Sequence, residues 1–236
     1  LVYAVSSAVQ ELIVRGALQS MLERFLDGLG GRVRAIVVCA LLFFATTVNY
    51  IDRQILALIK EFLDAELGWS NATFGWVNGA FQLSYAVGLL FFGWFVDRFG
   101  TKIGYATSIT LWSIAALSHA LVSSVNGFFA ARVFLGVSEG GNFPAAIKAV
   151  ALWFPKKERA FATAIFNAGT NVGAIIAPAM IPAIALTFGW RWAFILAGLA
   201  GFVWLFFWFP MYDVPEKRKN LTPAEFDLIH SDKEEG

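Results

Sequence analysis

Residues 72–96 read ATFGWVNGAFQLSYAVGLLFFGWFV, without one charged side chain. The hydrocarbon core of a bilayer is about 30 Å thick, and a helix needs roughly 20 apolar residues to cross it. This stretch has the length. Its run Leu89-Leu90-Phe91-Phe92 does not alternate apolar with polar positions, as a strand of a membrane barrel does. Five further stretches share the character: Ala35 to about Lys60, Ile103–Val125, Phe128–Pro155, Ala160–Phe188 and Trp192–Tyr212. Hydrophobic residues make up 58% of the chain, against about 45–50% in a soluble domain. The expected fold is an all-α membrane protein with six transmembrane helices.

The charges between the spans orient them. Arg24, Arg32 and Arg34 precede span one, Arg98 and Lys102 separate spans two and three, Lys156, Lys157 and Arg159 separate four and five, and Lys217, Arg218 and Lys219 follow six. The other connections hold Lys60, no basic residue, and Arg191. Basic connections stay on the cytoplasmic side, so both termini are expected there, in a plasma membrane (the inner membrane of a bacterium). The chain divides into an N-terminal cytoplasmic extension over 1–31, a six-helix domain over 32–212 and a linker over 213–236. The extension holds an amphipathic pattern, read either as an interfacial helix or as sequence upstream of a true start at Met21. In the linker, Thr222-Pro223-Ala224-Glu225 is a capping box with proline at the first helical position, which predicts a short helix through about His230.

Charge inside a span is costly and marks function. Asp52 and Arg53 lie in span one, Arg132 and Glu139 in span four. Spans one and four are the first of each triplet, the pattern of a 3+3 inverted repeat with a site near the midplane. Arg132 and Glu139 share a helix face, about 10 Å apart along the axis. Arg132 either faces the cavity or snorkels to the interface. Asp52 and Arg53 point about 100° apart, so one lines the cavity while the other pairs with a neighbouring helix. Lys148 and His119 are expected at the interface, and the lone Cys39 as a packing residue. Gly75…Gly79, Gly136…Gly140 and Gly169…Gly173 have the spacing that lets helices approach closely. Pro144 and Pro178 each free a carbonyl four residues back, and a bend is expected at each.

These charges suit an organic anion travelling with a proton. Two acids against two arginines sum to zero, and an incoming carboxylate makes the cavity negative until one acid takes a proton. Burial and neighbouring cations pull a carboxyl's proton affinity in opposite directions, so either acid can titrate as the cavity opens and closes. The planar fork of arginine meets a carboxylate with two parallel bonds. Asn49, Gln54, Gln82, Tyr85, Asn142, Asn167 and Asn171 serve either sugar hydroxyls or the bonding between helices. With two histidines, no His-Glu-x-x-His, no spaced cysteines and no phosphate loop, no enzyme motif competes. The expectation is no enzyme, no cofactor beyond H⁺ as coupling ion, no metal and no nucleic-acid partner.

The turn Gly93-Trp94-Phe95-Val96-Asp97-Arg98-Phe99-Gly100-Thr101-Lys102 resembles the signature of the major facilitator superfamily, G-x-x-x-D-R-x-G followed by basic residues. Thr101 stands at the first of the two usual basic positions. The resemblance implies a gating role for Gly93, Asp97, Arg98, Gly100 and Lys102. Asn49-Tyr50-Ile51-Asp52-Arg53-Gln54 and Arg132-Val133-Phe134-Leu135-Gly136-Val137-Ser138-Glu139 resemble spans one and four of its anion:cation symporter family. The stretches 100–105 and 165–171 are similar to the hexuronate transporter branch. This implies proton-coupled import of a sugar acid, Asp52 and Glu139 as the proton-linked acids, Arg53 and Arg132 as charge partners, and Tyr50, Tyr85 and Asn171 among the binding residues. The family has twelve spans, so the chain reads as its N-terminal half, with the C-terminal six-helix half as its expected partner beside the bilayer. A proton-driven exporter shares the fold but usually carries Gly-Pro-x-x-Gly-Gly on span five, where this chain reads Ala177-Pro178-Ala179-Met180. A non-transporting six-span membrane partner is the third reading.

Overall fold

A computed structural model describes residues 31–217 and 223–230. Its helices are α1 (Gly31–Leu58), α2 (Lys60–Leu67), α3 (Asn71–Phe99), α4 (Thr101–Leu121), α5 (Val125–Glu139), α6 (Asn142–Trp153), α7 (Lys156–Phe188), α8 (Arg191–Met211) and α9 (Pro223–His230). Span one is α1, span two α3, span three α4, span four the pair α5 and α6, span five α7 and span six α8. The expected linker helix is present as α9, whereas Thr222 of its capping box and the extension over 1–30, Met21 included, lie outside the described residues.

Local chemistry sets the boundaries. Ser70 accepts a hydrogen bond from the Thr73 N–H at 3.0 Å and caps α3, and Ser124 accepts from Gly127 at 3.2 Å and caps α5. Gly100 and Gly189 turn the chain between spans at φ of 84° and 93°, in the region where a side chain is strained. α1, α3, α7 and α8 are each long and apolar enough to cross a membrane. α4 has the length, but its serines, threonines and His119 dilute its hydropathy, and it is tolerated because protein surrounds it: twelve of its 21 residues are buried.

Packing follows the expected repeat. α1 lies along α7, α3 along α5, and α4 along α8, with further contacts of α4 to α5 and of α1 to α8. Exchanging spans one, two and three with four, five and six maps the first pair onto the second, the third onto itself, and the last two onto each other. Both long seams use glycine. A Cβ on Gly136 would stand 2.1 Å from Ser84 Oγ, and one on Gly140 2.4 Å from the Gly88 carbonyl carbon. A Cβ on Gly169 would stand 2.6 Å from the Phe43 carbonyl oxygen, and one on Gly173 2.9 Å from that of Thr47.

Several expectations are corrected. A Cβ on Gly75 or Gly79 would meet nothing within 4 Å, so this pair packs against no described residue. Span four is two helices separated at Gly140-Gly141, because Pro144 has no N–H for the Gly140 carbonyl. α7 runs as one helix through Pro178 and Pro182. His119 is fully buried between α5 and α8, stacked on Phe194, because its polar edge turns onto the Ala115 carbonyl of its own helix. Lys148 reaches the end of α3, as expected of a snorkelling lysine, and finds fixed partners there: its Nζ donates to the Val96 carbonyl at 3.1 Å and to the exposed Asp97 at 2.6 Å. Cys39 packs as expected, buried with its Sγ 3.7 Å from the Ala162 carbonyl.

Candidate substrate and proton site

The intramembrane charges meet where α1 and α5 face α3. Position 53 lies on the open side of α1 and position 52 on the side turned into the bundle, the 100° separation of adjacent helical residues. Asp52 is fully buried, while the Arg53 side chain keeps 24% exposure. Arg53 Nε donates to Glu139 Oε2 at 2.8 Å, joining spans one and four across 86 residues of sequence. Beneath the guanidinium lies the Tyr85 ring, 4.1 Å from Cζ to its centroid, a cation–π contact that fixes its plane. Phe81, one turn along α3, lies 5.7 Å from Arg53 Cζ and 5.6 Å from Arg132 Cζ, and its ring stacks on Tyr85.

Arg132 is fully buried, so of its two expected placements the interior one holds. It interacts electrostatically with Asp52 and Glu139. Yet its Nε, Nη1 and Nη2, both Asp52 oxygens and Glu139 Oε1 are buried without a hydrogen-bond partner among the described residues. The site therefore has two tiers. Arg53, Glu139 and Tyr85 form a bonded one at the open face, and Asp52 and Arg132 form an unbonded one behind it. Buried charged groups without bonds are held at a free-energy cost of about 1–3 kcal/mol or more each, which makes the second tier prone to rearrange.

The polar residues divide. Gln82 and Asn171 are exposed and Tyr50, Gln54 and Asn167 half-buried, with Gln54 Nε2 lacking a described partner. Asn142 is not with them: it is buried, and its Oδ1 accepts from Tyr105 O–H at 2.6 Å, which ties α6 to α4. At the signature turn, Asp97 pairs with Lys148 at 2.6 Å and Lys102 with Asp213 at 3.0 Å. Trp208 Nε1 donates to the Lys102 carbonyl and Trp153 Nε1 to that of Asp213, each at 3.0 Å. Arg98 is exposed, and a Cβ on Gly93 would meet nothing within 4 Å. An apolar cavity of about 480 Å³ opens between α1 and α7 beside Cys39 and Glu158, away from the charges.

Phe81, Lys148 and Asp213 were not singled out by sequence as members of these clusters. Lys148 carried a signal, a cation within a span. Phe81 carried none, being one of 24 phenylalanines.

The sequence profile of the Major Facilitator Superfamily matches residues 42–232. The chain is 35% identical to the hexuronate transporter of Escherichia coli strain K12 over 190 residues, which cover 80% of the chain and 44% of that protein. It is 31% identical to the galacturonate transporter of Dickeya chrysanthemi over 82% of the chain and 56% of that protein. It is also 31% identical to a D-galactonate transporter of Escherichia coli over 83% of the chain and 46% of that protein. The chain thus spans about half the length of the curated relatives it matches. Among solved structures it resembles the proton:xylose symporter bound to 6-bromo-6-deoxy-D-glucose, with a TM-score of 0.73 at 14% identity over 84% of the chain and 50% of that structure. It also resembles a bacterial homologue of the lysosomal transporter Spinster in an inward-facing, unoccupied conformation, with a TM-score of 0.71 at 22% identity over 83% of the chain and 47% of that structure. Six spans paired as an inverted repeat, the signature turn after span two and a profile match over most of the chain agree, and the chain belongs to the major facilitator superfamily, whose members are membrane transporters and not enzymes.

Proposed function

We propose that the intact protein carries a sugar-acid anion, a hexuronate such as glucuronate or galacturonate, across the membrane together with a proton. The observation that carries this reading is the Arg53–Glu139 ion pair on the open face of the bundle. Arg53 has one guanidinium, and Glu139 already uses it. A substrate carboxylate that takes two parallel N–H bonds on the Nε edge, the edge Glu139 occupies, displaces Glu139 and leaves a buried acid without its cation. A proton on Glu139 removes that conflict, since a neutral carboxyl no longer competes for Arg53. Binding of anion and proton is then linked in one step, and Tyr85 keeps the guanidinium plane turned for two parallel bonds. Asp52 and Arg132 set a second acid and a second arginine inside the bundle without a hydrogen bond between them, and protonating Asp52 leaves the charge of Arg132 uncompensated on that side for an incoming anion.

The sugar-acid class is supported by the names of the relatives and by the amide and hydroxyl groups of Gln82, Asn167, Asn171 and Tyr50 on the open side. Both ends of the chain are assigned to the cytoplasm from the basic connections. The Asp97–Lys148 and Lys102–Asp213 pairs are read as the parts of a gate that closes against the C-terminal six-helix half.

The test is uptake of labelled glucuronate by the intact protein in vesicles with an imposed proton gradient. Glu139→Gln, a permanent mimic of the protonated acid, is expected to keep glucuronate binding and to abolish gradient-driven accumulation. Unchanged accumulation by that variant would reduce Glu139 to a structural group. Glucose competing as well as galacturonate would show that no arginine reads a carboxylate.

A further inference from the structure

His119 belongs to none of the clusters assigned so far. It lies on α4 with its ring stacked on Phe194 of α8, the centroids 4.7 Å apart and the planes 16° from parallel, and meets Phe128 of α5 edge-on at 5.9 Å. Its Nδ1 is 2.7 Å from the Ala115 carbonyl. A carbonyl oxygen only accepts, so Nδ1 carries the proton, and the neutral ring presents a lone pair at Nε2. That Nε2 is buried and has no hydrogen-bond partner among the described residues.

Arg132 stands one helical turn beyond Phe128 on α5, and its field reaches the His119 ring. From α1 the charged group on this side is Asp52, which interacts with Arg132. The cation of α8, Arg191, stands one turn before Phe194 at the same end of the bundle, where it lies over the Trp190 ring and pairs with Glu66 at 2.7 Å. A guanidinium brings five N–H donors, and the three nitrogens of Arg132 are unbonded. The neighbouring orphaned acceptors are two carboxylates and one imidazole nitrogen. If proton uptake neutralises the carboxylates, His119 is the acceptor whose tautomer does not change.

We propose that His119 is a positioning residue for Arg132: its Nε2 accepts a guanidinium N–H when Asp52 is protonated and holds the arginine in place for the incoming carboxylate. The aromatic stack on Phe194 and Phe128 fixes the ring, the Ala115 carbonyl fixes the tautomer, and Arg132 supplies the donor. This rests on the proton-coupled reading given above.

His119→Phe keeps a ring for the stack and removes the acceptor, and His119→Gln restores an acceptor without the ring. In the intact protein His119→Phe is expected to raise the KM for glucuronate about tenfold with kcat within about twofold of the parent, the size of one lost bond to a charged group. His119→Gln is expected to recover most of that loss. Parental kinetics in His119→Phe, or equal damage in both variants, overturns the proposal. A thermal-melting cycle of His119→Phe with Arg132→Leu, made in purified protein carrying Asp52→Asn as a mimic of the protonated acid, reads the contact without transport, with His119→Met replacing His119→Phe if the latter yields no folded protein. Removing His119 is expected to lower the melting temperature in the Asp52→Asn background and to leave it unchanged once Arg132 is gone. Additive losses overturn the contact. If the parent carries no glucuronate, the functional reading falls, and the melting cycle still decides whether His119 serves Arg132.

Discussion

Two parts of α3 carry glycines in helical register and have opposite surroundings. Around Gly88, α3 is pressed against α5: a Cβ there would stand 2.3 Å from the Val137 carbonyl oxygen, and Gly136 and Gly140 return the approach. Around Gly75 and Gly79 no neighbour lies within 4 Å of a Cβ, and Trp76 and Leu83 beside them are 77% and 72% exposed. The small-xxx-small spacing permits a close approach and does not command one. A neighbouring helix uses it only where the path of the chain brings that helix alongside.

Substitution breaks this comparison most strongly. Gly140→Val places two methyl groups where backbone atoms of α3 already lie, and overpacking of a backbone seam costs about 1–3 kcal/mol or more. Gly140→Val is expected to yield no monodisperse protein by fluorescence-detected size exclusion, and Gly79→Val a parental yield. Equal damage at Gly79 would mean that a further helix covers that face in the intact protein.

The second contrast is between the bonded and unbonded tiers of the site. Arg53→Lys keeps the charge and loses the planar fork and its stacking on Tyr85. It is expected to weaken glucuronate binding by about 10-fold to 100-fold, read as the competition constant. Asp97→Asn and Lys148→Gln each remove one half of an ion pair in which Asp97 is 77% exposed. A loss of no more than about 1 kcal/mol of stability is expected from either, and a double-mutant cycle on thermal melting measures the coupling.

The smallest effect lies at the far end. Glu66 accepts from Trp190 Nε1 at 2.6 Å and from Arg191 Nη2 at 2.7 Å, and these hydrogen bonds, the Trp190 one first, hold its carboxyl below the usual value of 4.5. A lowered native value means that the contribution to stability is complete above about pH 5 and fades as pH falls through the native value. Because the carboxylate is 40% exposed, solvent screens the interaction to fractions of a kcal/mol. Melting of the parent and of Glu66→Gln between pH 6 and pH 3 is expected to converge at the acid end, with the parent slightly more stable above it.

Much of this molecule was legible in its sequence. The ends of α8 and α9 and the start of α3 fall within about a residue of the expected positions, because apolar runs end where charge, glycine or a cap begins, and α3 runs on to Phe99 past the expected end at Val96. All four intramembrane charges fall in one neighbourhood, as the repeat pattern predicted. The break in span four was foreshadowed by Pro144, while at Pro178 the helix continues without a break. A lost N–H has a local cause, and whether the helix parts there depends on what packs around it.

His119 and Lys148 show the limit from another side. Position along the span put both at an interface, and both are held by partners far away in sequence: Phe194 for one, Asp97 for the other. Depth in a bilayer is a one-dimensional quantity and can be counted off a sequence. A partner is a three-dimensional one.

The sequence by itself determined that the chain is built of membrane-crossing helices, the order of the six spans with their ends to within about four residues, and which four charges lie within them. Desolvation and backbone hydrogen bonding act on each segment separately, so these features can be read one segment at a time. Only the tertiary structure decided that Arg53 and not Arg132 bonds Glu139, that Asp52 turns inward, that Gly136 and Gly140 are used while Gly75 and Gly79 are not, and that Asn142 serves Tyr105. Helical period fixes the direction in which a side chain leaves its axis. What it meets there depends on the crossing of helices more than 80 residues apart, and that is settled by the packing of all six spans at once.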